Sequence, residues 1–192
     1  MNHPAPAVRR PATYADVLAA PEGLVAQLID GALHLQPRPA SRHALAGSML
    51  QVELGGPFHR GRGGPGGWWL LVEPEVHLGG QVLVPDIAGW RRARMPVFPD
   101  APYFTLAPDW ACEVLSPSTR RLDLGRKRDI YAEHGVAHLW IVDPDARTLE
   151  AFALTGGRWL LMATLAEEAD VAQPPFDAVR FDLAALWPPA TE

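Results

Sequence analysis

Apolar and polar positions along this chain change period several times, and each change marks an element. Thr13 to Leu18 predicts a short helix with Thr13 as N-cap and Asp16 in its first turn. Leu24 to Leu35 alternates around Asp30-Gly31, the signature of a hairpin, which Pro37 and Pro39 end. From Ser41, a candidate cap, to about Leu54, apolar residues recur at helical spacing. Trp68 to Leu78 and Gln81 to Trp90 read as one long hairpin folded over Gly79-Gly80. Trp110 to Leu115 is short and apolar, as a central strand would be. Asp123 caps a predicted helix over 124–134, with Gly135 at its C′ position. Val136 to Val142 is a second buried strand. Thr148 to Ala153 and Arg158 to Ala166 form another hairpin across Gly156-Gly157, and Phe181 to Leu183 a last short element. The order predicts an α/β (α+β) chain, a mixed sheet flanked by helices.

At 192 residues with 48% hydrophobic content, one domain over 13–187 is expected, with tails at 1–12 and 188–192. No apolar run approaches the roughly 20 residues of a membrane span. Residues 1–12 lack an apolar signal core, so a cytoplasmic location is expected. The single cysteine, Cys112, excludes an internal disulfide and fits a reducing compartment. A net charge of −5 argues against coating nucleic acid by electrostatics alone, but not against a local basic strip. All but one of the 17 basic residues are arginines, and the exception is Lys127.

Glu113 stands alone in an apolar strand, and a buried carboxylate without a partner costs several kcal/mol. A metal ion, an arginine or a polar network would each compensate it. Asp86 follows Val84-Pro85 at the end of a hairpin strand, as a turn residue or as a second hard oxygen ligand. Lys127 shares a helix face with Asp123 and Tyr131, four residues to either side. That face is either a solvated ion pair or part of a site. Arg120, Arg121, Arg126 and Arg128 crowd the same stretch and are candidates to meet phosphates. Two carboxylates and one lysine suit a divalent cation and a water directed at a phosphodiester. The glycine-rich 55–67 stretch is no phosphate loop, because no Gly-Lys-Ser/Thr follows. Cys112 alternates with Glu113 and so faces the other side of the strand, toward a core.

One pattern runs through Asp30-Gly31, His43, Val84-Pro85-Asp86, Glu113 to Thr119, Asp123, Lys127, Tyr131, Gly135-Val136 and Leu139 to Pro144. It resembles the Uma-two family of restriction-endonuclease-like proteins, within the PD-(D/E)xK nuclease superfamily, over roughly residues 13–165. The resemblance implies a restriction-endonuclease-like core, Asp86 and Glu113 as ligands of Mg²⁺ or Mn²⁺, and Lys127 as the catalytic lysine. It implies accessory places for His43, Glu75, Asp123 and Tyr131, with Glu73 weighed beside Glu75. DNA is the implied substrate and a homodimer the implied assembly. Three positions depart from the pattern. Leu115 occupies the usual lysine position, so the lysine must come from the next helix. Gln27 replaces a frequent glutamate, and His138 replaces an acid after Gly-Val.

A metal-dependent endonuclease is therefore the leading expectation. The alternative is a non-catalytic nucleic-acid- or protein-binding member of the same fold. A hydrolase using Ser116 or Ser118 lacks a glycine-flanked elbow and a histidine partner. Trp68, Trp69 and Trp90 read as core or interface before base-stacking residues.

Overall fold

The structure, a computed structural model, describes residues 10–37 and 40–189. Pro39, nearly all of the expected N-terminal tail and the end of the C-terminal one lie outside those residues. Six strands form the main sheet in the order β10-β9-β8-β7-β6-β3. They are β3 (Trp68–Val72), β6 (Ile87–Arg91), β7 (Trp110–Val114), β8 (His138–Asp143), β9 (Thr148–Thr155) and β10 (Arg158–Ala166). Only β7 and β8 are parallel, and the helical segment between them supplies the crossover that parallel neighbours require. The sheet is thus mixed and mostly antiparallel, with β7 in its interior.

A four-stranded sheet, order β2-β1-β5-β4, holds β1 (Val25–Ile29), β2 (Ala32–Gln36), β4 (Val76–Leu78) and β5 (Gln81–Leu83). Its last two strands correct the single long hairpin expected from sequence. β3 and β6 pair in the large sheet, while β4 and β5 pair in the small one around Gly79-Gly80. The ladder breaks because Pro85 has no N–H to donate and Glu73 adopts a left-handed φ of 47°. Asp86 stands where the chain passes between the sheets.

Helix α1 (Tyr14–Leu18) starts as expected, with the Asp16 carboxylate accepting from the Thr13 backbone N–H at 2.7 Å. Helix α2 (Ser41–Leu54) begins one residue earlier than Ser41 would cap, with Ala40 in the N-cap position. A π turn, Gly55–His59, continues it. The next helix corrects a second expectation. Asp123 is no cap, because α3 (Arg120–Leu122) already precedes it. A π turn over Asp123–Lys127, with non-helical Gly125, joins α3 to α4 (Arg128–Glu133). Gly135 does close the helix, at φ 72°.

Alternation along β7 divides the core. Trp110, Cys112 and Val114 pack on one sheet face with Ala46, Leu50 and Leu54 of α2 and with Leu183 and Leu186 near the C-terminus. Ala111 and Leu115 face the other way, against Ile130 and Tyr131 of α4 and Leu83 of the small sheet. Glu113 lies on that second face. Trp68 and Trp90 are core residues at 3% and 0% exposure, and the Trp69 indole donates to the Met95 carbonyl. Among the described residues no helix is long and apolar enough to cross a membrane.

Candidate active site

The C-terminal end of β7, the start of β6 and the π turn before α4 meet at a cleft of about 230 Å³. Val25, Gln36 and Pro37 of the β1–β2 hairpin form one wall, and Ser116, Ser118 and Thr119 form the lip beyond β7. His43, Glu73, Asp86, Glu113, Asp123 and Lys127 supply its charged lining.

Glu113 is 1% exposed and both its oxygens are occupied. Oε2 accepts from Lys127 Nζ at 2.7 Å, and Oε1 accepts from the Tyr131 hydroxyl at 2.5 Å. Lys127 also lies 3.3 Å from Asp123 Oδ1 and 3.4 Å from the Val84 carbonyl oxygen. The shared face of Asp123, Lys127 and Tyr131 is therefore no solvated ion-pair stripe. The π turn packs it onto the sheet, and such turns are frequent at functional sites.

Asp86 sits nearer the mouth. Its Oδ2 accepts from the Val114 N–H at 2.7 Å, and its Oδ1 lies 3.1 Å from His43 Nε2. One tie fixes Asp86 to the strand that carries Glu113, and the other ties it to α2. Gln27, 0% exposed, accepts from the Val84 N–H at 2.9 Å, while its Nε2 has no partner among the described residues. The residue that departs from the family pattern thus braces the Val84–Asp86 segment. It does not line the cleft.

Four carboxylates, Glu73, Asp86, Glu113 and Asp123, line the cleft beside one ammonium, and two of them, Glu113 and Asp123, pair with it, so negative charge is in excess. Burial pushes the Glu113 carboxyl up to about 8, Lys127 opposes that shift, and the charges of Asp123 and Asp86 add to it. Burial works against the charge of Lys127, but Glu113, Asp123 and Asp86 outweigh it and hold the amine above the usual lysine range. Tyr131 is raised by burial and by Glu113, so it remains a proton donor. For His43 burial favours the neutral ring, yet the bond to Asp86 and the charges of Asp86, Asp123 and Glu73 raise it overall.

A carboxyl that stays protonated only in the fold stabilises the fold in acid, and that contribution fades as pH climbs from the ordinary glutamate range to about 8. The raised His43 acts in the same direction. His59 and His138, which burial holds below the usual histidine range, act the opposite way in the lower part of that interval, so the Glu113 contribution shows as a difference between variants. Without divalent cations the melting temperature of wild type is expected to fall relative to that of Glu113→Gln between about pH 5 and pH 8. A difference that stays constant over the same interval contradicts this electrostatic picture.

The donor set suits a hard divalent cation. The available ligands are carboxylate oxygens, negative charge is in excess, and no thiol reaches the cleft. Among the described residues no three acid, histidine or cysteine side chains are grouped as a ready metal cage. An ion held by Asp86 and Glu113 would therefore keep several waters, as Mg²⁺ commonly does.

Of the residues singled out in the sequence, Asp86, Glu113, Lys127, Asp123, Tyr131 and His43 converge here. Glu75 does not. It accepts from the Tyr14 hydroxyl at 2.8 Å and lies 2.7 Å from His77 Nε2, so it ties α1 to the small sheet. Glu73, two residues earlier, lines the cleft in its place. The basic stretch is also mostly engaged. Arg120 pairs with Asp143, Arg126 with Asp30 and Glu133, and Arg128 lies over the Phe152 ring. Arg121 is exposed with no acidic partner among the described residues. His138 begins β8 opposite Trp110, at the far end of the strands from the cleft. Sequence reasoning missed the Val84 carbonyl and the bracing by Gln27, since neither a backbone acceptor nor a neutral amide carries a spacing signal.

No curated protein matches the chain. Among solved structures it is similar to a crystal structure from Anabaena variabilis ATCC 29413 described as "a putative nuclease belonging to DUF820". That match has a TM-score of 0.69 at 22% identity and covers 92% of this chain and 97% of the other. At that identity the likeness speaks for the fold. The model of the Uma2 family, described as "putative restriction endonuclease", matches residues 11–184. The chain belongs to the Uma2 family.

Proposed function

We propose that this protein is a nuclease that hydrolyses DNA phosphodiester bonds with the help of Mg²⁺ or Mn²⁺ held by Asp86 and Glu113. The observation that carries the reading is the buried Glu113–Lys127–Tyr131 cluster at the floor of an open cleft, with Asp86 above it. When bound, such a cation polarises a phosphate and makes a coordinated water more acidic. Lys127 contributes positive charge for the oxygens of a reacting phosphate. Because its neighbours hold it protonated, it orients and stabilises and does not act as a base. Tyr131 and Lys127 fix the two Glu113 oxygens, and His43 with the Val114 amide fixes those of Asp86. Ser116, Ser118 and Thr119 offer hydroxyls at the lip for the substrate backbone.

One observation favours a second reading, a protein of this fold that binds without cutting. An ammonium has three donors, and Lys127 already has three oxygen partners. It must release one to touch a substrate. The two readings separate in one assay. Supercoiled plasmid and single-stranded DNA are incubated with purified protein and Mg²⁺ or Mn²⁺, with a chelator control. Metal-dependent cutting that the chelator stops is the expected result. Mn²⁺ binding without cutting selects the second reading, and cutting indifferent to chelator removes the metal from the first.

A further inference from the structure

The four outer strands of the two sheets are treated differently. On β3 the Leu70 N–H donates to His59 Nδ1 at 3.0 Å, its carbonyl accepts from Gln51 Nε2 at 3.4 Å, and the Trp68 carbonyl accepts from Arg92 Nε at 3.2 Å. β4 is covered by the passing loop, with the His77 N–H donating to the Phe104 carbonyl at 2.8 Å. β2 is five residues long and carries polar His34 and Gln36. β10 is nine residues long, and among the described residues no side chain caps its outer backbone. It has no charge and no proline between Arg158 and Glu167. Leu160, Leu161 and Met162 are exposed there at 54%, 49% and 47%.

Sheet proteins blunt free edges with charges, prolines, bulges or covering segments, because an open apolar edge pairs with another strand. This fold covers β3 and β4, whereas β10 has only the single bulge at Met162 and is otherwise uncovered among the described residues. We propose that β10 is the seam through which two copies of this chain pair, antiparallel about a two-fold axis, joining two six-stranded sheets into one. The ends of the strand identify the partner. Arg158 stands at one end and Glu167 with Glu168 at the other, so antiparallel pairing sets each arginine against the acidic pair of the other copy. Parallel pairing would place like charge on like. Arg147, 3.4 Å from Glu167, leaves Glu168 as the acid with no basic partner among the described residues. The centre of the seam falls near Met162, where β10 carries a bulge against β9, so apolar side chains meet their own equivalents. The proposal stands apart from the nuclease reading, since none of these residues lines the cleft.

Sedimentation velocity of the full chain from about 1 to 100 µM, with hydrogen exchange of the 158–166 amides, tests it. The expected result is a concentration-dependent species of twice 20.9 kDa, with β10 amides protected in concentrated samples and exchanging on dilution. Met162→Lys is expected to weaken dimerisation about tenfold or more, as a central contact does. Arg158→Glu should weaken it less, and Arg158→Glu combined with Glu168→Arg should restore it. Circular dichroism confirms that each variant is folded. A wild type that stays monomeric at the highest concentration overturns the proposal. So does a dimer indifferent to Met162→Lys whose β10 amides exchange at one rate at all concentrations.

Discussion

Glu113→Gln is expected to give a folded protein that cuts DNA roughly 10²–10³ times more slowly than wild type. The amide keeps an oxygen for Lys127 or Tyr131 and occupies the same volume, so packing around β7 survives. It removes one of the crowded negative charges, however, and with it a proposed ligand for the cation. The two consequences have opposite signs. Without metal and near pH 8 the variant should melt above wild type, because the buried charge that repels Asp123 and Asp86 is gone. With Mn²⁺ present, wild type should gain stability and the variant should gain little. Cleavage assays and melting curves with and without Mn²⁺ check both halves. A variant that cuts at the wild-type rate removes Glu113 from the machinery.

Lys127→Met carries the largest expected stability cost. Removing one partner of a buried ion pair leaves the other uncompensated, at a cost of about 3–5 kcal/mol. Above about pH 8, where Glu113 is ionised, two buried acids, Glu113 and Asp123, lose their common cation. Methionine fills nearly the same space, so the loss reports charge more than packing. Cleavage should fall below detection. A divalent cation answers the same excess of negative charge, so Mn²⁺ should recover a large part of the lost stability in chemical denaturation, while cleavage stays absent. If Mn²⁺ recovers nothing while wild type still responds to it, the ion binds away from this cluster.

Much of this was legible because spacing and polarity carry it. A lone acid in an apolar strand signals that something must compensate it, and Lys127 with Tyr131 supplies the compensation. The i, i+4 spacing around Lys127 identified the face without revealing that it was buried, because the same spacing serves solvated ion pairs. The split of the expected long hairpin had a signal in Pro74 and Pro85, which interrupt the strand pattern across 68–90, but only the pairing partners show that two sheets share it. Asp123 looked like a cap because Ser, Thr and Asp before an apolar run usually are caps. The π turn that draws it inward rests on tertiary packing. Glu73 and Glu75 would share a face in a continuous strand, but the left-handed backbone at Glu73 ends the strand, so Glu73 stays at the cleft while Glu75 goes with the small sheet.

The passage of one strand pair between two sheets also separates two kinds of heritable change. The proposed reacting groups Glu113, Asp123 and Lys127 belong to the large sheet and its helical crossover, whereas Val25, Gln36 and Pro37 of the opposite wall belong to the small sheet. Substitutions in the β1–β2 hairpin can therefore reshape the entrance and leave the reacting groups as they are. A lineage can drift in what it admits while keeping what it does.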